Sequence, residues 1–239
     1  MRETIANLRQ QLHEDIGRIH VADNNSAARH AGARLAEVAE HSPAFIALLA
    51  EPWLGAGMTT RSAQLLSDCA RIHLYARVLD DALDENLTVC RHNLLRAQPL
   101  FWAAVQSIGA AVSVPVAAEA TRLIEETIGA VLADDLRPDP GSWASKNHHL
   151  LLIPLLLSGD SPAYLACRPG LSSVIALVQA GDEWKHGVLD AGTLRASLLE
   201  VVTDSLDRQR LETLQQHGWH GVAERIVWNA QQLIDVLSS

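Results

Sequence analysis

The sequence predicts an all-α fold, and three observations carry that expectation. Strand signals are nearly missing: no stretch alternates apolar and polar residues over strand length, and neither Asn-Gly nor Asp-Gly occurs. Ala, Leu, Arg, Glu and Gln, all good helix formers, dominate the composition. The nine prolines and the glycines fall mostly where helices should break. No repeat, low-complexity tract or long linker divides the chain, so a single helical-bundle domain over 1–239 is expected.

Taken in order, the pattern predicts helices over 3–20, 26–40, 43–50, 60–88, 91–112, 116–135, 142–158, 162–167, 171–188, 191–202, 204–217 and 220–238. Ser42-Pro43 and Ser161-Pro162 have the form of an N-cap followed by a first-turn proline. Ser142 suits a cap after the break at 138–141. The helices of 91–135 are rich in Ala, Val, Leu and Ile; small side chains leave room for an apolar guest and equally allow close helix packing. Phe101 and Trp102 are expected in the core, with pocket lining the lesser alternative. Trp219 and Trp228 are expected to pack amphipathic helices that close the bundle.

The chain has 239 residues, 48% hydrophobic, enough for one sizeable core. A formal net charge of −9 argues against a nucleic-acid or anionic-membrane partner. The longest apolar runs, 101–118 and 150–157, are interrupted or too short for a membrane span, so an integral membrane protein is not expected. Cys69, Cys90 and Cys167 show no metal spacing, and an odd count of thiols without an apolar leader fits a cytoplasmic protein.

The chemistry centres on two stretches. The first, 71–86, reads RIHLYARVLDDALDEN. Asp80 lies one helical turn below Asp84, and Asp81 one turn below Glu85. Four carboxylates on one edge repel each other unless a cation sits among them, and Mg²⁺ prefers such oxygen donors while keeping waters and binding phosphates. The alternative is a solvated acidic helix end in which Arg77 pairs with Asp81 at i+4. The second stretch, QAGDEWKHGVLD, puts Gln179, Asp182, Glu183, His186 and Asp190 on one face of a helix otherwise fit for burial. A polar stripe there needs pairing or a metal, and two such stripes can hold metal ions in a bundle.

Together these stretches resemble the two aspartate-rich motifs of the isoprenoid synthase superfamily, the trans-prenyl diphosphate synthases and class I terpene synthases. Asp80-Asp81-Ala82-Leu83-Asp84 fits DDxxD fully. Gln179, Asp182, Glu183, His186 and Asp190 fill the slots of QxxDDxxDxxxD, with Glu183 and His186 each replacing an Asp. Lys146 stands 33 residues before Gln179 (179 minus 146), where the family carries a diphosphate-contacting lysine. The resemblance covers about half of the chain, 62–190. It implies a helical bundle with a central apolar pocket. It also implies Mg²⁺, or Mn²⁺, held by Asp80, Asp81, Asp84, Asp182 and Glu183. Asp80, Asp81 and Lys146 would be catalytic, and Lys146, Gln179, His186 and Arg77 would contact an allylic prenyl diphosphate. Imidazole is a poor Mg²⁺ ligand, so His186 is expected to hydrogen-bond diphosphate or to weaken the second metal site. A homodimer or a partner synthase subunit is the assembly that the resemblance implies.

Loss of diphosphate requires neutralisation of its developing charge, by metal ions and a fixed cation such as Lys146. The resulting allylic cation needs a dry pocket, with aromatic faces such as Trp184 or Trp102. Chain-elongating relatives carry a basic GKxxR-type segment and a paired arginine after DDxxD; here GAGMTTRSAQLL offers only Arg61, and Arg91 and Arg96 are out of register. Cyclisation or elimination, the terpene-synthase outcome, is therefore expected. The alternatives are a chain-elongating prenyl diphosphate synthase and a non-catalytic synthase subunit. A remote one is a di-iron bundle, suggested by Glu183-x-x-His186, although no other histidine has a glutamate three residues before it.

Overall fold

The computed structural model describes residues 1–20, 25–54, 57–85, 87–136, 140–159, 161–186 and 191–238. All regular structure among them is helical, as the composition and the lack of alternation predict. No helix among them is long and apolar enough to cross a membrane. The chain divides into two compact units, Met1–Glu119 and Ala120–Ser239.

The first unit is built from α1 (Arg2–Ile19), α2 (Ser26–Leu49), the short α3 (Glu51–Leu54), α4 (Thr60–Asp84) and α5 (Thr88–Ala111). Side-chain oxygens start two of the long helices: Asn25 accepts from the Ala28 amide at 2.8 Å, and Thr59 from the Ser62 amide at 3.1 Å. The expected break at Ser42-Pro43 does not occur, and α2 runs through it. Pro43 forfeits one helix hydrogen bond, a loss of roughly 3 kcal/mol in an exposed interior. It is buried here, and Ser42 turns its hydroxyl to His73 at 2.8 Å instead of capping. Leu8, Leu12, Leu35, Ile46, Leu66, Ile72 and Ile108 are buried in this unit. Phe101 is buried as expected, stacked on Tyr75 at 4.3 Å, whereas Trp102 is 58% exposed.

The polar pairs fix a register. His30 bonds Glu85, Arg34 bonds Asp81, and Ser42 bonds His73. Each step forward on α2 is an equal step back on α4, so the two helices run antiparallel. On the other flank, Gln11 donates to the Ser67 carbonyl and Arg71 to Asp15, so α1 runs parallel to α4.

The second unit holds most of α6 (Val114–Leu136), two 3₁₀ segments (Pro140–Ser142 and Ser145–Leu151), α7 (Leu152–Ser158), α8 (Pro162–His186), α9 (Ala191–Ser205), α10 (Arg208–Gln216) and α11 (His220–Ser238). The segment expected as one helix over 142–158 is 3₁₀ up to Leu151, with Asn147 off helical geometry. Ser142 donates to Asp134 at 3.1 Å. Ser161 does accept from the Ala163 amide at 3.2 Å, but the helix it starts continues through Pro169 rather than ending near 167. Helix α8 packs against α9, α10 and α11. Its approach to α10 is close at Gly170, where an added Cβ would lie 2.7 Å from Leu214 Cδ1. Gly218, at φ 89°, takes the left-handed turn between α10 and α11, and the Trp219 amide donates back to Leu214 at 2.9 Å. Trp219 is buried as expected; Trp228 is 53% exposed, with the Arg225 guanidinium 4.7 Å over its ring.

Candidate functional site

Asp80, Asp81 and Asp84 close α4, and Gln179, Asp182 and Glu183 lie near the end of α8. The C-terminal end of a helix carries the negative pole of its dipole, which opposes carboxylates. Acids in both places therefore need a compensating partner.

At the end of α4 the partners are side chains of the chain itself, two arginines and a histidine. Arg34 of α2 sets Nη2 at 2.6 Å and Nε at 2.7 Å from Asp81 Oδ1. Its Nη1 lies 3.3 Å from Glu85 Oε1, and His30 Nε2 lies 3.0 Å from Glu85 Oε2. One guanidinium thus spans two carboxylates one turn apart. Arg77 pairs with Asp80 at i+3, 3.1 Å away; the i+4 pairing expected from the sequence is replaced by Arg34 on Asp81. The Asp81 side chain is only 8% exposed. Burial raises its pKa above the ordinary carboxylate value, the hydrogen bond and charge of Arg34 and the charge of Arg77 oppose that, and Asp80 adds to it. Burial acts to lower the pKa of Arg34, and the hydrogen bond and charge of Asp81, with Glu85 and Asp80, more than offset it. Asp84 is exposed. Asn86 lies outside the described residues.

Beneath these pairs, Ala31, Ala82 and Cys90 form a buried cluster with Leu87, Val89 and Leu94 packed against it. Small residues on both helices let α2 and α4 approach closely enough for Arg34 to reach. Arg34 was not among the residues singled out by the sequence, although a signal was present. His30 and Arg34 are one turn apart on α2, the same spacing as Asp81 and Glu85 on α4.

In the second unit the stripe on α8 is held by amides. Asn147 Nδ2 donates to Gln179 Oε1 at 3.0 Å, and Gln179 Nε2 donates to Glu183 Oε1 at 2.8 Å. Asp182 is exposed, and neither it nor Glu183 forms an ion pair among the described residues. The His186 side chain and Asp190 lie outside the described residues. Lys146 reaches Asp134 Oδ2 at 2.6 Å, and its side chain is 11% exposed. Asp134 is thereby half-buried in an ion pair, while Asp135 is exposed. His149 is buried, while His148 Nδ1 lies 3.1 Å from Glu126, which also pairs with Arg122. Burial, with the Arg168 and Arg122 charges, lowers the pKa of His148 against the pull of Glu126.

Among the other expected residues, Trp184 is 38% exposed. Arg61 donates to the Ala111 carbonyl at the end of α5, a helix-capping role. Among the described residues, no group of three or more His, Cys, Asp or Glu side chains stands ready to hold a metal ion. By chemistry, the carboxylate oxygens of Asp80, Asp84, Asp182 and Glu183 fit a hard cation. Asp81 differs in that its Oδ1 is already held by Arg34. No protein-family model matches the chain, and neither a curated protein nor a solved structure matches it significantly.

Proposed function

We propose that this chain is a class I, Mg²⁺-dependent isoprenoid enzyme of prenyltransferase lineage. It ionises an allylic prenyl diphosphate and completes the reaction by cyclisation or elimination, as terpene synthases do. The observation that supports the reading most is the position of its acids. DDxxD ends one 25-residue helix and QxxDE stands near the end of another, in each case where the helix dipole calls for cations.

In this reading Asp80, Asp84, Asp182 and Glu183 hold Mg²⁺ or Mn²⁺, and Asp81 joins them when Arg34 lets go. The bound ions neutralise the charge that develops on departing diphosphate. Lys146 contributes a fixed positive charge to the diphosphate oxygens on leaving Asp134. Gln179 and His186 hydrogen-bond the diphosphate, and Arg77 does so after releasing Asp80. Trp184 and Trp102 are the aromatic faces offered to an allylic cation. The isoprenoid-synthase type of bundle over 1–239, its central apolar pocket, a homodimer or partner synthase subunit, and a cytoplasmic location belong to the same proposal.

One observation favours a second reading. Asp81 is already neutralised by Arg34, which is what a non-catalytic synthase subunit would retain for its fold. Variants separate the two. Asp80→Asn and Asp84→Asn are expected to abolish Mg²⁺-dependent diphosphate release with helical content unchanged; full turnover in both rejects the metal assignment. Lys146→Ala is expected to weaken diphosphate binding, and unaltered affinity removes Lys146 from the site.

A further inference from the structure

We infer that Arg34 is the resident counter-cation of the first acidic motif and competes with divalent metal for it, so that metal binding at the end of α4 detaches α2. The inference rests on the metal assignment proposed above and concerns what stands in the metal's way.

The geometry carries it. Arg34 commits two nitrogens to Asp81 Oδ1 and a third to Glu85 Oε1, at 2.6, 2.7 and 3.3 Å. A guanidinium does not lose its proton in a protein, so it leaves only by moving. Mg²⁺ binds at about 2.0–2.1 Å with near-octahedral demands and a retained water shell. At Asp81 it meets a carboxylate whose Oδ1 already accepts from two N–H donors and whose charge a guanidinium already balances. The two acids of the motif also differ in how they let go. Arg77 holds Asp80 from the same helix, so a change of rotamer frees Asp80 without moving any helix. Arg34 belongs to α2, and its pairs join α2 to α4 together with His30–Glu85. Displacing it breaks a contact between helices. The free energy of that contact is subtracted from metal binding, and every 1.4 kcal/mol of it lowers the affinity about tenfold.

The test is calorimetric titration of the full chain with MgCl₂, repeated with MnCl₂, on wild type, Arg34→Gln and Arg34→Lys. All three are read in an Asp182→Asn, Glu183→Gln background, so that heat from α8 does not enter. Arg34→Gln is expected to bind metal about tenfold more tightly than its parent. Arg34→Lys, which keeps the charge and loses the fork, should fall between them. Hydrogen exchange on the wild type is the second measurement: amides of 27–36 should lose protection as MgCl₂ is added. It decides the matter if both variants fail to fold. Equal or weaker affinity in a folded variant, or unchanged exchange in the wild type despite metal binding, overturns the competition and leaves the proposed function standing. No metal binding by any of the three proteins overturns the competition; no binding by the chain with Asp182 and Glu183 intact overturns both.

Discussion

The end of α4 and the end of α8 look alike in sequence and differ in what balances their charge. Both carry acids in the last turns of a 25-residue helix. On α4 the balance is ionic: Arg34 of α2 holds Asp81 and Glu85, Arg77 of the same helix holds Asp80, and His30 hydrogen-bonds Glu85. Among the described residues of α8 it is neutral: Gln179 and Asn147 relay hydrogen bonds to Glu183, and Asp182 is exposed. An acidic motif therefore does not reveal its own electrostatics. The partner residue decides whether the carboxylates are part of the frame or are left for an outside cation.

This contrast can be broken by substitution. Arg34→Met should have the largest effect, about 3 kcal/mol by urea denaturation, because it strands the buried Asp81 carboxylate. Adding Asp81→Asn to that variant should recover part of the loss. If Arg34→Met costs no more than a surface change, the ionic frame is not there. On the other side, α8 is held by packing, so Gly170→Ala should cost about 2 kcal/mol by overfilling the contact with Leu214. A neutral Gly170→Ala would show that α10 can give way.

A third effect is set by pH. Burial, with the nearby Arg77 charge, lowers the pKa of His73 to about 3, against 6.5 ordinarily. Between those values the unfolded chain binds the extra proton, so stability falls as pH drops through that window, by at most about 1.4 kcal/mol per unit. The buried carboxyls of Asp68 and Asp81, both raised, act with the opposite slope just above their ordinary 3.8. Comparing urea midpoints of wild type and His73→Gln at pH 7, 5 and 4 isolates the histidine, and identical slopes would remove it from the account. The smallest effect, under about 1 kcal/mol, is expected for Glu183→Gln, since an amide can keep the bond from Gln179. A larger loss would mean that the charge on α8 is structural after all.

The helical class was legible because composition and periodicity act locally. The motif positions were legible for the same reason, since i, i+3 and i+4 spacings are facts of one helix. The helix breaks expected at Pro43 and near Pro169 do not form, because packing of the whole helix outweighs one lost hydrogen bond. The partners of the acids were not legible at all. Arg34 meets Asp81 across 47 residues and Lys146 meets Asp134 across a 3₁₀ segment, and both pairings depend on how helices come together. The matching one-turn spacings of His30–Arg34 and Asp81–Glu85 were the one hint of the first.

The central claim is the ionisation of an allylic diphosphate. Its most direct test is diphosphate release with Mg²⁺ from geranyl, farnesyl and geranylgeranyl diphosphates, with and without isopentenyl diphosphate. Products should be extracted before and after phosphatase treatment. The account predicts release from an allylic substrate alone, with a hydrocarbon or alcohol as product. Release only in the presence of isopentenyl diphosphate, with a longer diphosphate as product, would make the chain an elongase. No release under any condition would contradict the account.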